Sequence, residues 1–267
     1  MNLDDCLAAI KASKKYRAIC DETIRRLVAG ESRKYRTEKE LIKSVKTQLH
    51  QISGVFIDEG SIKRASGLLD GLSGPPTEET IREILSLHTS SRERLGFIEE
   101  MYGDIFAVTG SGGAILDLAC GFNPFFLPLM PTVSPAKYYA TDINVHLIAL
   151  INEFFAQTGI NGHACASDVL FKVPDIEAQN VLLLKIVPLL EQQQKGFAKT
   201  LIGQLKSEFF TLTFPTKSLS GKNVGMYQFY DRFMQENFAK KDFEYCLQKE
   251  NHNEIIYVIR RVGYHLF

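Results

Sequence analysis

Between residues 114 and 215 short apolar runs that end in turns are interspersed with helix-forming stretches. The apolar runs fall at 114–118, 137–141, 162–167, 181–184 and 209–214, with helical patterns at 144–157 and 189–206. Strands that alternate with helices pair in parallel, because each helix serves as a right-handed crossover. Two further runs, 243–248 and 255–260, flank the polar turn Asn251-His252-Asn253, which predicts an antiparallel hairpin. The expected fold is therefore an α/β, mostly parallel sheet with an antiparallel edge.

The first hundred residues follow a helical period instead. Thr37 and Glu40 have capping-box spacing ahead of an apolar stripe at Leu41, Ile42, Val45, Leu49 and Ile52. Lys39, Lys43 and Lys46 share another face of that helix. Residues 71–76, Gly-Leu-Ser-Gly-Pro-Pro, break the pattern. A helix is expected over 78–87. Ser90 and Glu93 suggest a second capping box opening a helix through about Phe106. The break divides the chain into a helical extension, 1–76, and an α/β domain, 77–267.

Charge separates the two parts. Lys and Arg total 31, as do Asp and Glu, so the chain is formally neutral. From Lys11 to Arg36, however, nine basic residues face only Asp21, Glu22 and Glu31, a local charge of +6. Such asymmetry suggests a polyanion-facing appendage, with Lys14, Lys15, Arg17, Arg25 and Arg26 as candidate nucleic-acid contacts. An ordinary solvated face is the plainer alternative. The five cysteines are widely spaced and form no CxxC pair, so neither a disulfide framework nor a zinc knuckle is supported. The six histidines form no ligand spacing, and no metal is expected. No apolar run approaches the roughly 20 residues of a membrane span. The N-terminus lacks the basic-then-apolar order of a signal peptide. These features predict a soluble, reduced, cytoplasmic protein.

Three positions carry chemistry. Asp117-Leu-Ala-Cys-Gly121 runs from the first strand into a glycine turn, where a backbone approaches a ligand closely. The glycines of a dinucleotide fingerprint are missing from Gly121-Phe-Asn-Pro-Phe-Phe, and a D-x-A-x-G turn fits an S-adenosylmethionine site better. Asp142 ends the second strand, where a carboxylate can accept both ribose hydroxyls. Asp168 follows the third strand, within reach of an adenine amino group. A lone Asp after a strand is usually a cap. Three in the order of one cofactor site, with the terminal hairpin, predict a class I S-adenosylmethionine-dependent methyltransferase fold, Rossmann-like and seven-stranded.

Longer motifs make the resemblance specific. Leu87-His-Thr-Ser-Ser-Arg-Glu-Arg-Leu95, Leu116-Asp-Leu-Ala-Cys-Gly-Phe-Asn-Pro124, Lys185-Ile-Val-Pro-Leu-Leu-Glu191 and Phe214-Pro-Thr-Lys-Ser-Leu-Ser-Gly221 resemble the Arm/Rmt-type aminoglycoside-resistance 16S rRNA methyltransferases. Ser13-Lys-Lys-Tyr-Arg17 and Leu49-His-Gln-Ile-Ser-Gly54 match as well, so the likeness spans nearly the whole chain. It implies a ribosome-docking helical extension and methyl transfer from S-adenosyl-L-methionine to N7 of a decoding-site guanine, 16S position 1405. The implied partner is the 30S subunit and the implied state a monomer. It further implies cofactor contacts from Phe56, His88, Thr89, Ser90, Ala119, Gly121, Asp142, Asp168, Val169, Leu184 and Gln194. Arg94 would pair with the cofactor carboxylate, and Lys185 and Lys217 would lie near the target base. Tyr227 and Phe229 depart from relatives with Met-Glu-x-Asn-Tyr, whereas Tyr230 is retained as an RNA-side candidate. Tyr102 could stack on a flipped base, but a core aromatic is the favoured reading. Two competing functions are a small-molecule methyltransferase, which has no use for the basic helices, and a non-catalytic ribosome-binding module, which has no use for the Asp117, Gly121, Asp142 and Asp168 pattern.

Overall fold

The computed structural model describes residues 2–52, 59–72, 74–216 and 225–264. Strands β1 (Ile115–Leu118), β2 (Tyr138–Asp142), β3 (Gly162–Ala166), β4 (Glu177–Leu184), β5 (Lys206–Pro215), β6 (Phe243–Asn251) and β7 (Glu254–Arg261) form one sheet. Their order is β3-β2-β1-β4-β5-β7-β6. The first five run parallel, and β7 inserts antiparallel between β5 and β6. All four residues of β1 are buried, because helices cover both faces of the sheet centre and a central strand must be apolar on both sides. The order reverses between β1 and β4. Loops leaving those two strands diverge, and their carboxyl ends border a crevice.

Helices α1 (Leu3–Lys11), α2 (Asp21–Glu31), α3 (Glu38–Ile52), α4 (Glu59–Asp70), α5 (Glu78–Ser86), α6 (Thr89–Arg94) and α7 (Ile98–Thr109) precede the sheet. Helix α8 (Val145–Thr158) crosses from β2 to β3. Helices α9 (Val187–Gln193) and α10 (Phe197–Gln204) link β4 to β5, and α11 (Met226–Asn237) precedes the hairpin. Ile10, Ile24, Val28, Leu41, Val45 and Leu49 give α1–α3 a core of their own. Ile62, Ala65 and Leu69 of α4 instead join Ile81, Met101 and Phe154 in the core under one face of the sheet. The packing boundary thus falls before α4, and the sequence break at 71–76 lies between helices that share one packed core. On the opposite face Leu190, Leu201 and Met234 pack against Val181, Leu183 and Phe210.

Two expected helices are each split. The 189–206 pattern breaks at Gly196, whose φ of +81° ends any α-helix. Glu191 secures the break, its carboxylate accepting the N–H groups of Gly196 (2.7 Å) and Ala198 (2.8 Å). The 90–106 pattern breaks where Phe97 leaves helical geometry (φ −144°) to stack its buried ring on His252. The Ser90–Glu93 capping box does not form. His88 is the N-cap of α6: its Nδ1 accepts from the Ser91 N–H (3.4 Å) and lies 2.9 Å from the Ser91 hydroxyl. The box at Thr37 forms in part, with the Glu40 N–H donating to Thr37 Oγ1 (3.3 Å) and that hydroxyl donating to the Glu40 carboxylate (2.8 Å).

Tyr102 is a core residue. It is fully buried, stacks on Phe126 and donates its hydroxyl to Asn123. Asn123 Nδ2 in turn donates to Asp117 Oδ2 (2.8 Å), which also accepts from Tyr138 (2.8 Å). The Asp117 carboxylate therefore ties the loop after β1 to β2 from below, while its Oδ1 has no hydrogen-bond partner. Burial lifts its pKa to about 7, despite the opposing donors. Between its ordinary range and that value the folded state holds one more proton than the unfolded chain. Asp117 thus makes stability fall as pH rises from about 4 to 7. Thermal melts of Asp117→Asn should gain on the native protein across that window. A difference that does not change with pH would show that Asp117 stays ionised throughout.

Candidate active site

The crevice at the switch point is lined by the turn after β1, the ends of β2 and β4, the loop after β3, α6, α9 and one face of α2. Its floor is a strained turn in which Ala119 (φ +53°) and Gly121 (φ +53°) both adopt left-handed backbone. Only glycine fits at 121. A Cβ there would stand 2.8 Å from the ring of His88, which is buried and stacked on Phe122. The close approach required of the D-x-A-x-G turn is thereby enforced from both sides. Burial, then the positive charges of Arg94, Lys185 and Arg92, depress the His88 pKa to about 3, so this ring is neutral.

Two carboxylates border the cavity. Asp142 accepts the Gly121 N–H at Oδ2 (3.1 Å) and the Asn144 N–H at Oδ1 (3.0 Å). The glycine turn and the ribose-ligand candidate are thus one hydrogen-bonded unit. Burial pushes the Asp142 pKa up, with these N–H donors opposing the rise. Asp168 accepts the Leu170 N–H (2.9 Å) at one oxygen and the Arg26 guanidinium (2.8 Å) at the other. Val169, Leu184 and Ser90 complete the apolar and polar walls.

Several expectations change at this level. Arg26 points into the pocket rather than toward an external polyanion, and it also donates to Gln193 Oε1 (2.9 Å). Gln193 lines the cavity, while its neighbour Gln194 caps the end of α9 and is exposed away from it. One residue of helical phase makes that difference. Thr89, at the start of α6, is exposed and outside the lining. Tyr230 is 7% exposed and stacks on Phe214 with ring centroids 4.4 Å apart, so it belongs to the core rather than to an RNA face. Phe56 and Lys217 lie outside the described residues. Lys14, Lys15 and Arg17 are exposed, and Arg25 pairs with Asp4 (2.8 Å) on the same surface.

Arg94 borders the pocket, yet its Nε and Nη2 are held by Glu254 at 2.8 and 2.7 Å. Both residues are buried, at 3% and 0% side-chain exposure. Lys185 leaves β4 with φ +59°, its N–H anchored on Thr213, and its Nζ lies 2.8 Å from Glu93 and 3.3 Å from Glu254. Burial alone would raise the Glu254 pKa. Arg94, Lys185 and Thr213 together outweigh it and hold the carboxyl below its usual range. Sequence reasoning missed Glu254. The available signal was an acidic residue opening the apolar strand Glu254-Ile-Ile-Tyr-Val-Ile259, where a charge needs a buried partner.

A parallel sheet of this order, closed by an antiparallel β7 and carrying its pocket at the β1/β4 switch point, defines a class I methyltransferase fold. Comparison with known proteins narrows the class. The family described as Ribosomal RNA methyltransferase (FmrO) matches residues 12–258, and the chain belongs to it. A 16S rRNA (guanine(1405)-N(7))-methyltransferase of Serratia marcescens is 32% identical over 98% of this chain and 100% of its own length. One from Micromonospora echinospora is 30% identical over 97% of each chain. The crystal structure of the 16S rRNA methyltransferase RmtF in complex with S-adenosyl-L-homocysteine superposes with a TM-score of 0.87 at 32% identity, covering 98% of this chain and all of that one.

Proposed function

We propose that the chain is a 16S rRNA (guanine-N7)-methyltransferase that uses S-adenosyl-L-methionine to modify guanine 1405 of the 30S subunit and confers aminoglycoside resistance. The observation that carries this is the pocket itself. A glycine turn with no room for a side chain is hydrogen-bonded to Asp142, and Asp168 lies one strand away, in a chain that matches an rRNA methyltransferase over 98% of its length. These residues fit the cofactor: Asp142 suits two ribose hydroxyls, Asp168 an adenine amino group, and Val169 and Leu184 the faces of the ring. When bound, the cofactor supplies an electrophilic methyl group.

The chain's task is then positioning. Guanine N7 carries an available lone pair at neutral pH, so no general base is required. Lys185 stands between two carboxylates, which offset its charge where positive charge develops on the base. With three N–H donors it retains capacity for an acceptor such as guanine O6. Lys217 is assigned to the same neighbourhood through the family resemblance. N7 lies in the deep, narrow major groove of A-form RNA, so the base must leave its stack at a cost of a few kcal/mol. Phosphate contacts by Lys14, Lys15 and Arg17 offset that cost and select a folded subunit over free nucleoside. The enzyme acts as a cytoplasmic monomer. Among the described residues no helix is long and apolar enough to cross a membrane.

Calorimetry with S-adenosyl-L-homocysteine tests the cofactor assignment. Asp142→Ala should lose about 1.5–3 kcal/mol of binding with the fold retained, as expected for hydrogen bonds to a charged acceptor. Unchanged affinity would remove Asp142 from the site. Radiolabelled methyl transfer should occur on intact 30S subunits and not on free guanosine.

A further inference from the structure

The N-terminal extension does more than sit beside the pocket. Its chain between α1 and α2 is stitched to the loop that follows Asp142. The Cys20 N–H donates to the Ile143 carbonyl (2.8 Å), the Val145 N–H donates to the Ala18 carbonyl (2.8 Å), and Ile19 bridges Asn144. Helix α2 therefore starts at the pocket rim with fixed register. Three of its residues, Glu22, Thr23 and Arg26, lie on one face by helical spacing, and that face meets Asp168 and the cavity.

Arg26 differs from the other cations of the basic segment. Lys11, Arg25 and Lys34 pair with Asp21, Asp4 and Glu31 inside the extension. The Arg26 guanidinium instead reaches across, with Nε on Asp168 and Nη2 on Gln193. Its side chain is 22% exposed and that of Asp168 only 4%, so the pair is shielded from screening. Without this cation Asp168 would be a buried carboxylate supported by little beyond the Leu170 N–H. The carboxylate would then lose the contact that holds its Oδ2 in place and be free to rotate away from the pocket.

We propose that Arg26 is a positioning residue of the cofactor pocket: it fixes the Asp168 carboxylate, and Gln193 beside it, in the orientation that reads the adenine amino group. The helical extension thereby supplies a wall of the cofactor site as well as an RNA-facing surface. This rests on the assignment of Asp168 to adenine, and the test separates the two.

The test measures affinity for S-adenosyl-L-homocysteine and for S-inosyl-L-homocysteine, in which a keto oxygen replaces the amino group, by calorimetry on the full chain. The native protein should prefer the adenosyl compound. Arg26→Gln should weaken that compound by about tenfold, the scale of one charged hydrogen-bond interaction, and erase most of the preference. Arg26→Lys should recover part of it, keeping the charge without the fork. Equal weakening of both compounds would make Arg26 mere structural support, and unchanged affinities would leave it outside the site; either result overturns the proposal. Asp168→Ala separates the premise: if it leaves the preference intact, the adenine assignment itself fails. The salt dependence of 30S binding should be the same for Arg26→Gln as for the native protein. A flattened slope with native cofactor affinity would return Arg26 to the phosphate-binding set and overturn the proposal.

Discussion

Replacing Glu254 with alanine should destabilise the folded protein by about 3–5 kcal/mol, the usual penalty for stranding one member of a buried ion pair. Glu254 has no exposed surface and answers two cations, Arg94 at 2.7 Å and Lys185 at 3.3 Å. Its removal leaves the Arg94 guanidinium buried without a counter-charge and releases Lys185 to Glu93 alone. The pH dependence follows from the same pairing. The folded pKa lies below the unfolded one, so this stabilisation is complete above the ordinary glutamate range and is lost as pH falls through the lower, folded value. Urea unfolding at neutral pH measures the effect. The double change Arg94→Met with Glu254→Leu should recover much of the stability, because the desolvation of both charges is removed together. A loss below about 1 kcal/mol for Glu254→Ala would mean that water reaches the pair.

The second large effect concerns the docking surface. Removing the charges of Lys14, Lys15, Arg17 and Arg25 should weaken 30S binding and flatten its salt dependence. Each cation withdrawn from a phosphate lowers the log–log slope by somewhat under about one unit. Arg25 should contribute least, since Asp4 already engages it. Cofactor affinity should hardly change, because none of the four lines the pocket. Full 30S affinity with an unchanged slope would make this segment a plain solvated face. The docking surface would then lie on α3, around Lys39, Lys43 and Lys46.

How much of this was legible in the sequence depended on distance along the chain. Strand positions and the terminal hairpin followed from apolar runs of four to six residues bounded by turns, because local pattern and burial agree there. The glycine turn, Asp142 and Asp168 were legible for the same reason: each lies at or just beyond the carboxyl end of a strand. The helix breaks at Gly196 and Phe97 were not, since a glycine and an aromatic within a helical pattern are ambiguous until their partners, Glu191 and His252, are placed. The partners of Arg94 and Arg26 lie 160 and 142 residues away, so neither ion pair leaves a local trace. Counted as charges, Arg26 and Lys14 are equivalent. Only the stitching of residues 18–20 to 143–145 turns one toward Asp168 and leaves the other in solvent. Tyr230 was drawn from motif position, yet its ring fills the core behind Phe214.

The functional reading stands or falls with the target nucleotide, which mapping of the methyl group identifies. Purified 30S subunits are incubated with the enzyme and S-adenosyl-L-methionine, the rRNA is cleaved at N7-methylguanine with borohydride and aniline, and the break is located by primer extension. One new stop is expected, at guanine 1405, and it should disappear when Asp142→Ala replaces the native enzyme at limiting cofactor. A stop at another nucleotide, or methylation of free guanosine in place of the subunit, would contradict the assignment.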